Sequence, residues 1–238
     1  MYVKSSMKKF GDNKKKQIEI KKTLKFSAYS GVLFIAIFFI FAIINQIITV
    51  SGLENLLVMS SVIFAFLMAF FSLSFIYGFV ILGKRFDNKL LVILAYVMII
   101  LWILYLILAL FGNSLFDFTK ITNDPVFQDY ISSSAIDKQL AFEDLSPAAQ
   151  ELIINFAKVV IVIAILCSVY LVLFGLSLLR LKDKVKYSKV SGILNIIAGI
   201  TLIIIVGIFV KMIAFILEIM MFFEASKKFE DSKNIKRR

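Results

Sequence analysis

Long apolar runs constrain this chain more than any other feature. Residues 26–48 and 90–111 contain no charged side chain. Runs of eighteen or more apolar residues read as membrane spans. A soluble core helix rarely exceeds about 20 residues and keeps a polar face, which these runs lack. Composition agrees, since 61% of the 238 residues are hydrophobic, against roughly 45–50% in soluble domains.

Several function classes drop out at once. The chain has no His, the commonest general base and metal ligand. Its one cysteine, Cys167, lies in an apolar run. It can form neither an intrachain disulfide nor a cysteine-rich metal site, and it reads as a small hydrophobe. Phosphate-binding glycine loops, His-Glu metal motifs and nucleophile elbows are missing from the sequence. An intramembrane aspartyl enzyme needs two Asp within spans, and the apolar runs hold none. The expectation is a non-enzyme with no catalytic, cofactor-binding or metal-binding residue and no cofactor. The net charge of +11 points to anionic lipid on the cytoplasmic side, not to nucleic acid.

Residues 1–25 form a basic cytoplasmic lead with nine Lys, expected to be disordered or to lie on the lipid surface. The apolar stretch behind it is too long for a cleavable signal core, so it reads as a retained first span. Spans 1–3 occupy 26–111: 26–48, then 56–82, then 90–111 after a basic loop at 83–89. Residues 112–151 form an acidic extracytoplasmic loop carrying seven acids and both prolines. Asp124-Pro125 and Ser146-Pro147 each resemble an N-cap followed by Pro at the first helical position. One short helix is expected after Asp124, and a second from Pro147 directly into span 4. The apolar residues of this loop, such as Phe127, Tyr130 and Phe142, are expected to fold it into a small cap. Spans 4–6 occupy 152–224, interrupted by a basic loop at 180–189, and 225–238 is a basic cytoplasmic tail.

The last apolar region, 190–223, decides the topology. As one straight helix it would be about 51 Å long, against a hydrocarbon core of about 30 Å. Split near Gly207 it gives two short spans. With six spans, 23 of the 27 basic residues lie inside; with five, the division is 17 to 10. The positive-inside rule therefore favours six spans with both termini cytoplasmic. Five spans plus an outer amphipathic helix is the alternative. A parallel internal echo, Tyr77-Gly78 against Phe174-Gly175, precedes a basic loop in each half.

Ionisable residues inside a membrane are the best pointers to function. Glu218 is the one clear intramembrane acid, and Asn195 falls within a helical turn of its depth once the hairpin closes. These two form a candidate intramembrane polar site, with Lys211 two turns before Glu218 on a similar face. An Asn195–Glu218 hydrogen bond serves as glue between helices; the competing reading is a proton or cation site. Lys211 is expected to snorkel to the outer surface. Small residues recur at helical spacing at Ser61, Ala65 and Ala69, and at Ser191, Asn195 and Gly199, as in close helix packing. Tyr96, Trp102 and Tyr105 line either a cavity or a packed interior.

The stretch SGILNIIAGITLIIIVGIFVKMIAFILEIMMFFEASKKFE (191–230) resembles small polytopic membrane proteins of uncharacterised, mostly archaeal families, and YGFVILGKRFDNKLL (77–91) is similar in character. The resemblance implies a multi-span helical fold and a membrane location. It carries over no activity and no functional residue. The expected molecule is an all-α polytopic transmembrane bundle in the cell membrane. Its partners are the lipid bilayer and other membrane proteins. Its role is structural or accessory, the alternative being a small transporter or channel using Glu218 and Asn195.

Overall fold

The computed structural model describes residues 2–51, 54–115, 125, 143, 145–202 and 206–231. Every extended element among them is an α-helix: α1 (Tyr2–Val50), α2 (Glu54–Arg85), α3 (Lys89–Leu115), α4 (Pro147–Leu179), α5 (Ser188–Thr201) and α6 (Val206–Asp231). Four segments are long and apolar enough to cross a membrane: Lys15–Ile48, Ser60–Arg85, Pro147–Leu179 and Val206–Lys228. The apolar parts Lys89–Leu104 and Ser188–Thr201 are shorter. At 14 residues, α5 is about 21 Å long, less than a hydrocarbon core.

The basic lead is helical, which excludes the disordered alternative. It continues α1 without a break from Tyr2. Lys, Gln, Glu and Met are good helix formers, and no proline interrupts the stretch. The expected second helix of the acidic segment is α4, which starts at Pro147 as foreseen. Ser146 Oγ accepts from the Ala149 amide at 3.4 Å, as an N-cap does. The helix expected after Asp124, and most of the cap, fall outside the described residues. The last apolar region is divided near Gly207, as its length demands: α5 ends at Thr201 and α6 starts at Val206. A Cβ at Gly207 would collide with the Ala198 carbonyl and the Leu202 backbone. Glycine is needed there to let the hairpin close, not to break the helix.

The chain divides into two compact units, Met1–Leu106 with Ser168–Arg238, and Ile107–Cys167. In the smaller unit Leu145 and Ala149 are buried, and the Gln150 amide donates to the Leu145 carbonyl at 2.8 Å. The larger unit has a core of Leu24, Phe79, Leu82, Leu91, Leu178, Leu181 and Phe222. Outside this core its helices present large apolar side chains, such as Ile43, Phe66, Phe70 and Phe209, each more than half exposed. That is the surface of a lipid-embedded bundle, where the solvent is as apolar as leucine.

Helix ends in the larger unit are specified by local polar groups. After α2, Asp87 takes φ 54° and the Asn88 amide donates back to the Gly83 carbonyl at 2.8 Å, which is a Schellman closure. Asn88 then caps α3, accepting from the Leu91 amide at 3.2 Å. Its Nδ2 donates to the Ser177 carbonyl at 2.7 Å, tying this turn to α4. Helices α4 and α5 meet backbone to backbone. A Cβ on Gly175 would stand 2.5 Å from the Gly192 carbonyl, and one on Gly199 2.7 Å from that of Ser168. Ser168 Oγ donates to the Gly199 carbonyl. The stripe Ser191, Asn195 and Gly199 is buried as expected, and so are Ala65 and Ala69, whereas Ser61 is exposed.

The basic elements collect at one end of the larger unit. Lys184 Nζ, between α4 and α5, donates to the Phe86 carbonyl after α2 at 3.3 Å. Lys228 Nζ on α6 donates to the Lys184 carbonyl at 2.9 Å. Tyr29 on α1 stacks edge-on against Phe223 of α6, with centroids 5.2 Å apart.

Candidate functional site

Asn195 and Glu218 come from the two arms of the α5–α6 hairpin, and both are almost fully buried. The expected hydrogen bond is present: Asn195 Nδ2 donates to Glu218 Oε1 at 2.8 Å. The same Nδ2 donates to the Ser191 carbonyl one turn back at 2.8 Å, which orients the amide with Oδ1 facing α6. Lys211 differs from expectation. Rather than snorkelling outward it turns into the bundle, where its Nζ donates to Glu218 Oε1 at 2.7 Å and to Asn195 Oδ1 at 2.8 Å. The i, i+7 spacing puts Lys211 and Glu218 on one face of α6, and the carboxylate within reach outweighs a distant interface. The Lys211 side chain is 27% exposed and that of Glu218 1%. The ammonium also lies 5.4 Å from the Phe174 ring centroid, a cation–π geometry. The three side chains form a closed triangle in which opposite charges are paired, as buried charges must be.

The triangle borders a cavity of about 190 Å³. Seven aromatic side chains line it: Phe34 from α1, Phe75 and Phe79 from α2, Trp102 from α3, Tyr170 and Phe174 from α4, and Phe215 from α6. Many touch one another, as do Phe75 and Phe215 at 4.6 Å and Phe34 and Trp102 at 6.2 Å. The Tyr170 hydroxyl donates to the Leu94 carbonyl at 3.3 Å. Ser72 also lines the cavity, and its hydroxyl is buried without a hydrogen-bond partner.

No family model, curated protein or solved structure matches the chain.

The resemblance read in 191–230 therefore gains no support from them, and the site must be judged on its geometry. Of the aromatic residues singled out in α3, Trp102 reaches the cavity, whereas Tyr96 is exposed and its hydroxyl accepts from Lys84 Nζ at 3.2 Å. The side chain of Tyr105 lies outside the described residues. Sequence reasoning missed Tyr170, Phe174 and Ser72 as neighbours of the polar triangle. Their helices are apolar all round, so no periodic signal singles them out. Among the described residues no three His, Cys, Asp or Glu side chains gather as metal ligands would.

Proposed function

We propose that this chain is a structural or accessory multi-pass membrane protein without enzymatic activity, spanning the cell membrane six times with both termini cytoplasmic and residues 112–151 outside. Its partners are the bilayer and other membrane proteins. The observation that carries the role is the closed triangle. Glu218, Asn195 and Lys211 satisfy one another, so the polar groups stitch the α5–α6 hairpin together. A proton or cation relay needs further ionisable groups to pass the charge onward, whereas Glu218 is the one buried acid among the described residues and Lys211 is bonded to it within the triangle. In this reading α5 is the fifth crossing, short for a span, and α6 the sixth, returning the tail to the cytoplasmic side. The collection of basic residues at one end of the larger unit supports this topology through the positive-inside rule.

One observation favours a second reading. The cavity beside Glu218 carries a buried hydroxyl, Ser72, without a hydrogen-bond partner, and at about 190 Å³ it has room for a molecule about the size of benzene, as a transporter site for a very small substrate would. Flux measurements separate the two. The wild-type protein and a Glu218→Gln variant are reconstituted in liposomes, with proton and cation movement followed by pH- and potential-sensitive dyes. The structural role gives no flux above empty liposomes in either. A wild-type flux that Glu218→Gln abolishes, with the fold intact, would replace the structural reading by the transport one.

A further inference from the structure

The basic end of the larger unit is hollow. A cavity of about 300 Å³ opens between the turn after α2, the α4–α5 connection and the last turns of α6. Lys184, Lys186, Lys227 and Lys228 border it together with Phe86 and one acid, Glu224. Glu224 pairs with Lys227 at 2.9 Å. Among the described residues the other three lysines have no carboxylate within ion-pair distance. Lys184 and Lys228 each give one hydrogen bond to a backbone carbonyl, and Lys186 lies 5.0 Å from the Tyr187 ring centroid. Three helices end here, and their C-terminal carbonyls attract cations, which accounts for the presence of lysine. It does not use up the charge. An ammonium has three donors, and four ammoniums against one carboxylate leave an excess facing an open hollow.

We propose that this hollow holds the phosphate-bearing headgroup of an anionic phospholipid. An apolar path adjoining it decides for a lipid rather than a soluble phosphate. On α6, Ile216, Met220 and Glu224 follow at four-residue intervals, so they lie along one helix face. Ile216 is 51% and Met220 39% exposed. An acyl chain laid along Ile216 and Met220 delivers its headgroup to Glu224 and the lysines beside it. Basic pockets between spans at the cytoplasmic surface bind anionic headgroups by this chemistry. The inference rests on the membrane reading of the helices, not on the role given to Glu218.

The test is native mass spectrometry of the intact chain released from nanodiscs of phosphatidylcholine and phosphatidylglycerol. The variant is Lys186→Gln with Lys227→Gln, because neither side chain bonds the backbone and folding should persist. The control is Lys14→Gln with Lys15→Gln, which removes the same charge from the N-terminal lead. Wild type and control are expected to retain phosphatidylglycerol over phosphatidylcholine, and the pocket variant to lose that preference by about thirtyfold, which is what two surface lysines supply. Replacing the same two residues by Arg should restore it, which excludes a folding defect. Equal loss in the control and pocket variants would show diffuse attraction and overturn the proposal. So would displacement of the lipid by inorganic phosphate at low concentration, which would make the hollow a soluble-anion site. Retention unchanged in the pocket variant would also refute it.

Discussion

Asn195, Lys211 and Glu218 show how a buried charge is tolerated in an apolar setting. Each isolated interhelical hydrogen bond contributes only about 0.6 kcal/mol, but an unpaired buried charge costs several times more. The consequence is a strong dependence on the pair. Lys211→Met alone should destabilise the bundle by about 2 kcal/mol, less than for a fully buried pair because Lys211 is 27% exposed. Glu218→Leu alone should cost less, since the freed Lys211 has a long stem with which to reach the surface. The double variant should cost less than the sum of the two. A double-mutant cycle on unfolding by sodium dodecyl sulfate measures this; strictly additive costs would mean that the 2.7 Å contact contributes nothing. The Asn195–Glu218 pairing was legible in the sequence, because hairpin register places the two at equal depth. The inward turn of Lys211 was not. Its i, i+7 relation to Glu218 was visible, yet whether a long side chain bends inward or outward depends on the room left by Phe174 and its neighbours, which only the packed bundle defines.

At the scale of elements, the apolar runs gave the helices and their approximate limits, since period and length survive without tertiary context. What they did not give was the place of each break. Gly207, near which the region divides, has its missing side chain used for close approach to Ala198 and Leu202. The lead of nine Lys is helical because it extends a helix that α1 has already nucleated, which carries it across the weak helix formers Gly11, Asp12 and Asn13. Packing between helices rests on two devices that can be tested separately. Gly175→Ala puts a methyl group against the Gly192 carbonyl of α5, and should cost about 1–3 kcal/mol as overpacking does. Ser61→Ala, at an exposed position of α2, should change thermal stability in detergent very little. Equal effects would remove the α4–α5 crossing as a determinant of the fold. Asn88→Ala deletes a helix cap and a buried tie to α4, and should cost about 2 kcal/mol in the same assay.

For the whole molecule, charge carries the argument. Lys184 reaches the turn after α2, Lys228 reaches the α4–α5 connection, and α1 meets the end of α6 through Tyr29 and Phe223. The lead, both basic loops and the end of α6 thus gather at one end of the larger unit, the distribution that the positive-inside rule assigns to the cytoplasmic face. That this end is one place was implicit in the count of basic residues. The hollow among the lysines was not, because it depends on three helix ends converging. The most direct measurement is labelling of single cysteines by a membrane-impermeant maleimide added to intact cells, with Cys167→Ser as background. Asp129→Cys should react from outside, whereas Lys186→Cys and Lys233→Cys should react only after the membrane is opened. Labelling of the Lys233→Cys protein in intact cells would place the tail outside, leave five spans, and contradict the six-span bundle.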